Sequence, residues 1–289
     1  MIIVQLSGGL GNQLFQYAMG YTLAQKSKCE LKLDLLFFEN YEWHDYSLKP
    51  FAIQENIATM EEIEALRRRE RSLPERVKRK LFNVQPFFIQ EKNLLFDDFY
   101  LNIKRPAYLM GYWQCEKYFE KCSAAIREQF TVCEAPSLAN RDLLQKISVT
   151  EAVSLHIRRG NFVNVDFINK IHGTCSLDYY SAAIKYVAAK CSKPVFYIFS
   201  DDMAWVKENI KVPYHHHFVD LNDAQTDYED LRLMYSCKHH IIANSTFSWW
   251  GAWLSIYKNK IIIAPKKWYA DPEKEKYTLT IVPDIWIRL

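Results

Sequence analysis

Two adjacent arginines, Arg158 and Arg159, close the stretch His156-Ile157-Arg158-Arg159 and are followed by Gly160-Asn161-Phe162. A guanidinium pair after an apolar run offers planar donor forks suited to bidentate phosphate binding, and a diphosphate is its natural target. Gly160 would let the backbone approach such a ligand. The plainer alternative is a surface pair engaged in ion pairs, with His156 buried for structural reasons. A second stretch, Asn244-Ser245-Thr246-Phe247-Ser248, precedes Trp249-Trp250. Asn, Ser and Thr ahead of an apolar helix cap it, and the amides at such an end favour an anion. Asp201 and Asp202 follow Phe199-Ser200. They could reach a ribose, a base or a metal, although one adjacent acidic pair is a poor metal signature.

The first motif of the chain is Gly8-Gly9-Leu10-Gly11-Asn12-Gln13, which holds three of the eight glycines. Such crowding implies a tight turn or a close backbone approach. Gly9 and Gly11, with Asp34 downstream, imitate a dinucleotide fingerprint whose third glycine is missing. His215-His216-His217 and His239-His240 raise a zinc reading,. Neighbouring side chains on a strand point to opposite faces, which argues against it.

These motifs need elements to hold them. Residues 2–6 form a short apolar run, Leu14, Tyr17, Ala18, Tyr21 and Ala24 recur at helical spacing, and 31–34 alternate, so the chain opens as strand, glycine turn, helix, strand,. Residues 41–106 are irregular and aromatic apart from a helix predicted over 60–71. Helices are predicted over 116–130 and 137–147. Strands are then expected at 153–157, 195–199, 217–219, 240–243 and 261–264, with helices at 176–189, 203–209, 228–235 and 247–257 between them. That alternation implies an α/β fold with parallel sheets covered on both faces. Ligands of such sheets bind beyond the carboxyl ends of the strands, where residues 7–13, 158–162, 200–202 and 244–248 fall,.

The chain has 289 residues, 49% of them apolar and 25% charged, which excludes disordered and fibrous classes,. Its net charge of +3 excludes a protein that grips nucleic acid with its whole surface,. No apolar run approaches the roughly 20 residues of a membrane span. The first residues lack the pattern of a signal peptide, and seven scattered cysteines form no CxxC pair,. Cytoplasmic residence is therefore expected. Eight basic residues crowd the fourteen positions from Arg67 to Lys80. They suggest either a solvated helix face or peripheral contact with the anionic inner face of a membrane.

Taken together, Gly8-Gly-Leu-Gly-Asn-Gln-Leu-Phe-Gln-Tyr-Ala18, His156-Ile-Arg-Arg-Gly160, Phe199-Ser-Asp-Asp202 and Asn244-Ser-Thr-Phe-Ser-Trp-Trp-Gly-Ala252 closely resemble the α-1,2-fucosyltransferase family. The resemblance spans nearly the entire chain. It implies a GT-B-like α/β architecture of two Rossmann-like halves facing a central cleft, an acceptor-side half at 1–148 and a donor half at 149–289. It further implies an inverting, metal-independent transfer from GDP-β-L-fucose to the 2-hydroxyl of a terminal galactose, with no cofactor.

Carried over by residue, the resemblance gives Arg158 and Arg159 the donor diphosphate and makes them, with Asn12, the catalytic set. It assigns His156, Asn244, Ser245, Thr246 and Phe247 to the donor pocket, Asp201 and Asp202 to the guanosine, and Gly11, Asn12 and Gln13 to the acceptor side. Many relatives carry Asp where this chain has Asn161, which cannot serve as an anionic base. Two rivals remain at this stage. A dinucleotide-dependent oxidoreductase would use Gly9, Gly11 and Asp34, and a non-catalytic glycan or polyanion binder would use the aromatic content and the basic run.

Overall fold

Strand β1, Ile2–Gln5, is apolar and buried along nearly its whole length, which is the signature of a central parallel strand rather than an alternating edge,. The computed structural model describes residues 1–41, 43–74, 77, 81, 87–104 and 106–289, with the backbone alone for 69–71. After β1 the chain turns at Gly8 and Gly9 into helix α1, Leu10–Ser27, and returns as β2, Leu31–Asp34. This is the expected βαβ unit. Two strands that the aromatic stretch concealed complete the sheet, β3 at Phe88–Gln90 and β4 at Ala107–Met110. The order is β2-β1-β4-β3, all parallel.

The second sheet is built from β5 (Glu151–Ile157), β6 (Pro194–Ser200), β7 (His216–Phe218), β8 (His239–Ile241), β9 (Ile262–Ala264) and β10 (Ile287–Arg288). Its order is β10-β9-β8-β5-β6-β7, again parallel throughout. Five of these strands match the predicted ones to within about two residues; β10 has too few residues to show a period. Helices Leu177–Lys190 and Met203–Asn209 bring Tyr180, Ala183, Ile184, Val187 and Val206 onto β5 and β6. Trp249, Trp250 and Trp253 are core, and Trp249 Nε1 donates to the Ile281 carbonyl at 2.8 Å.

The chain divides into Met1–Cys133 and Glu134–Leu289. The division falls earlier than the expected 148/149 because helix Leu138–Ser148 belongs to the second unit. Its Leu143 and Ile147 pack with Val195, Tyr197, Phe199 and Leu233, and Asn140 bonds to Asn222. The helix predicted over 116–130 is broken into two short 3₁₀ turns and helix Ser123–Gln129. Adjacent Tyr118 and Phe119 are both buried, against Trp113 and Phe15 respectively, and one straight helix face cannot place them so,.

Candidate active site

The register of β5 on β6 sets the arginines. Ile157 lies opposite Ser200, so the next residues beyond the two strands face each other. Arg158 Nη1 meets Asp201 Oδ2 at 3.0 Å, and Arg159 Nε donates to Asp202 Oδ2 at 3.1 Å. The Arg159 backbone amide donates to Asp201 Oδ1 at 2.8 Å, and its guanidinium lies 3.5 Å from the centre of the Trp205 ring. Arg158 lies 5.4 Å from the Phe162 ring. Asp202 also accepts from the Trp205 amide and so caps helix Met203–Asn209. Both aspartates, expected at a guanosine, hold the arginines. Gly160 follows from the same geometry, because a Cβ there would collide with the Asp201 carboxylate.

His156 is buried, and burial followed by the Arg158 charge lowers its pKa to about 3, so the ring is neutral at pH 7. Its Nδ1 has no hydrogen-bond partner among the described residues, and the Phe247 ring lies 5.7 Å away. Ser245 is the N-cap of helix Thr246–Leu254 but does not bond with its side chain there. Asn244, expected at the donor, is held by backbone carbonyls. Buried, it donates to the His172, Gly173 and Trp268 carbonyls at 3.0, 3.3 and 3.1 Å and fastens two other segments of the chain. It also lines a cavity of about 410 Å³ with His172, Thr174, Lys266, Lys267 and Tyr269.

Asp227, at the start of helix Asp227–Ser236, lies within electrostatic reach of Arg158, and burial with neighbouring Asp230 pushes its pKa up to about 7. No motif pointed to it, because an acid in the first turn of a helix is ordinary.

In the first unit the glycine turn is built as a neutral counterpart. Gly8 adopts φ +70°, a conformation that favours glycine,. Gln13 is wholly buried. Its amide donates to the Gly8 and Asp45 carbonyls, each at 2.8 Å, and accepts from the Ser47 amide at 2.8 Å. Rather than facing an acceptor, Gln13 ties the turn to the following loop; Gly11 is buried as well. Asn12 is partly exposed and accepts from Gln114 Nε2 at 3.0 Å. Asp34 is buried and accepts from the Leu36 amide and the Tyr108 hydroxyl. It is closed to a ribose, which removes the main support for the oxidoreductase rival.

Among the described residues, Glu151, Cys191 and His239 bring ligand-type atoms within 4.8 Å of one another. They do not fit a cation. His239 uses Nε2 on Glu151 and Nδ1 on the Ile261 amide, and the Lys238 ammonium lies 3.0 Å from the same carboxylate. Of the basic run, Arg67 lies 5.5 Å from the Tyr108 ring and pairs with Glu64, as does Arg68. Arg76, Lys78, Arg79 and Lys80, and the side chains of Arg69 and Arg71, lie outside the described residues. No described helix is long and apolar enough to cross a membrane.

Two parallel Rossmann-like sheets, the second carrying a fixed arginine pair where its strands end, define an α/β glycosyltransferase of the GT-B-like class. The chain belongs to Glycosyl transferase family 11, whose model matches residues 1–288. An Escherichia coli protein described as an alpha-1,2-colitosyltransferase is 34% identical, over 100% of this chain and 99% of its own. A Bos taurus protein described as galactoside 2-alpha-L-fucosyltransferase SEC1 is 28% identical, over 51% of this chain and 42% of its own. Among solved structures, a mutant of Arabidopsis thaliana FUT1 in complex with GDP matches with a TM-score of 0.53 and 10% identity, covering 98% of this chain and 74% of that one.

Proposed function

We propose that the protein transfers L-fucose from GDP-β-L-fucose, with inversion and without a metal, to the 2-hydroxyl of a terminal galactose in an oligosaccharide or surface glycan. The observation that carries this reading is the arginine pair at the end of β5, set by Asp201, Asp202 and Trp205. As the bond from fucose to phosphate oxygen breaks, negative charge grows on the departing GDP. Guanidiniums already fixed in place stabilise that charge without reorganising at the moment of reaction. A guanidinium carries five N–H donors, so one carboxylate contact leaves donors for a diphosphate. Neutral His156, with Nδ1 unpartnered among the described residues, belongs to the same donor site. Asn161 is no anionic base, so the acceptor proton is taken by a different base or leaves late, to water or to phosphate.

The 34% identical colitosyltransferase favours a second donor. Colitose is L-fucose without its 3-hydroxyl, so one diphosphate site would serve both. Purified protein is incubated with lactose in EDTA and either GDP-fucose or GDP-colitose, and products are read by mass spectrometry and linkage-resolving NMR. The expected product is α-1,2-fucosyl-galactose. A larger yield with GDP-colitose would move the assignment to that donor. No turnover with either, together with no GDP binding by calorimetry, would overturn the reading.

A further inference from the structure

The first sheet has its own crevice. In the order β2-β1-β4-β3 the chain leaves β1 toward β2 and then returns to β4 on the other side, so β1 and β4 flank the point where the strand order reverses. Crevices beyond the carboxyl ends of strands at such a point are the ligand sites of open parallel sheets. Because Val4 lies opposite Leu109, the segment after β4, Gly111-Tyr112-Trp113-Gln114, lies alongside the glycine turn.

That segment is held in an unfavourable shape. Trp113 is fully buried at φ +56°, a region that costs a large side chain energy and persists only where its surroundings enforce it,. Glu91, the residue after β3, enforces it, accepting from the Tyr112 amide at 2.6 Å and the Trp113 amide at 3.1 Å. Gln16 adds a bond from its amide to the Gly111 carbonyl at 3.0 Å. The outcome is the placement of Gln114. Only 5% exposed, it lies edge to edge with Asn12 through one hydrogen bond between their side-chain amides, and its own Oε1 has no partner among the described residues. An unsatisfied amide oxygen is costly in a buried position and calls for a hydroxyl or water donor.

The surroundings suit a sugar. Trp43 and Tyr112 expose 45% and 42% of their surface, Tyr41 lies 6.2 Å from Trp43 and 6.1 Å from His44, and His44 abuts Gly9. Aromatic faces pack on the C–H face of a pyranose while side-chain amides pair with its hydroxyls.

We infer that Gln114, set by Glu91 beside Asn12, is a binding residue for the terminal galactose of the acceptor. This rests on the galactoside reading above and names the residues that would hold its acceptor. Gln114→Ala should raise KM for lactose about tenfold, the worth of one net hydrogen bond, with GDP affinity unchanged. Glu91→Gln, which keeps the shape but weakens the hold on both amides, should raise KM for lactose without lowering GDP affinity. Saturation-transfer NMR with lactose on the GDP-bound protein supplies a readout that needs no turnover, and its signal should fall in Gln114→Ala. An unchanged lactose KM and signal in that variant would overturn the inference while leaving fucosyl transfer intact. No lactose signal in the unaltered protein would overturn it too. Loss of GDP binding in the unaltered protein would instead strike at the donor reading.

Discussion

The two sheets place a strand-to-helix turn at the same topological position and equip it in opposite ways. After β5 the turn carries Arg158 and Arg159, each met by a carboxylate from the neighbouring strand end. After β1 the turn leads into a helix whose first turns carry Asn12, Gln13 and Gln16, neutral amides bonded to Gln114, the Gly8 carbonyl and the Ser7 hydroxyl. On the function proposed above, one corner would take a diphosphate whose charge grows during reaction and the other a neutral polyol. Shared topology marks where open parallel sheets bind ligands; the side chains distinguish the two corners.

The charged corner should give the largest effect. Arg158→Ala removes a contact that is worth most in the transition state, so kcat should fall about 10² to 10³-fold, or about 3–4 kcal/mol. Arg158→Lys should recover only part of this, because an ammonium lacks the planar fork. Single-turnover assays at saturating donor check both. Full activity in either variant would erase the distinction between the corners.

The neutral corner should answer in stability instead. Gln13→Ala leaves the Gly8 and Asp45 carbonyls and the Ser47 amide without their partner. A loss of about 2–3 kcal/mol in denaturant unfolding is expected, with GDP affinity retained. A stable Gln13→Ala protein that no longer used lactose would return Gln13 to the acceptor role that its motif suggested.

That contrast marks how far the sequence was legible. The motifs lie at the ends of β1, β5, β6 and β8, as residue types and apolar runs indicated, and the parallel α/β class followed from their alternation. What Gln13, Asn244, Asp201 and Asp202 do was not legible, because a polar residue in a motif reads the same whether it meets a ligand or a neighbouring backbone. Gln13 and Asn244 became fasteners through partners 32 and 72 residues away in the chain. Glu91 and Gln114 were missed for a related reason. β3 and β4 have three and four residues, too few to show a period, and without them nothing brings Glu91 to Trp113,.

Gly160→Ala probes the charged corner more gently. The added methyl displaces the Asp201 carboxylate, which holds both the Arg158 guanidinium and the Arg159 amide. Activity should fall about tenfold, since a misplaced but present guanidinium loses alignment rather than charge. Calorimetry with GDP should show a weaker complex, and thermal unfolding should change little. An active Gly160→Ala protein would mean that Asp201 is dispensable for setting the arginines.

The smallest effect belongs to Glu91, a carboxylate in the neutral corner, and it concerns pH. Burial raises its pKa from 4.5 to about 7 against the opposing pull of the Tyr112 and Trp113 amides. The titratable groups coupled to it are Tyr100, Tyr112 and Tyr118, all pushed upward and uncharged near neutrality. The folded state therefore holds this proton more tightly than the unfolded chain does. Its contribution to stability is complete below about pH 4.5 and is lost as pH rises through about 7, at about 1 kcal/mol between pH 6 and 7. Asp227 and Asp230 in the second unit, raised to about 7 and about 6, slope the same way, so the informative quantity is a difference between proteins. Urea unfolding of Glu91→Gln should lose less stability over that interval than the unaltered protein, because its amide does not titrate. Parallel slopes would mean that the Glu91 carboxylate is already ionised at pH 6, and that the strained Trp113 segment is held by a charge.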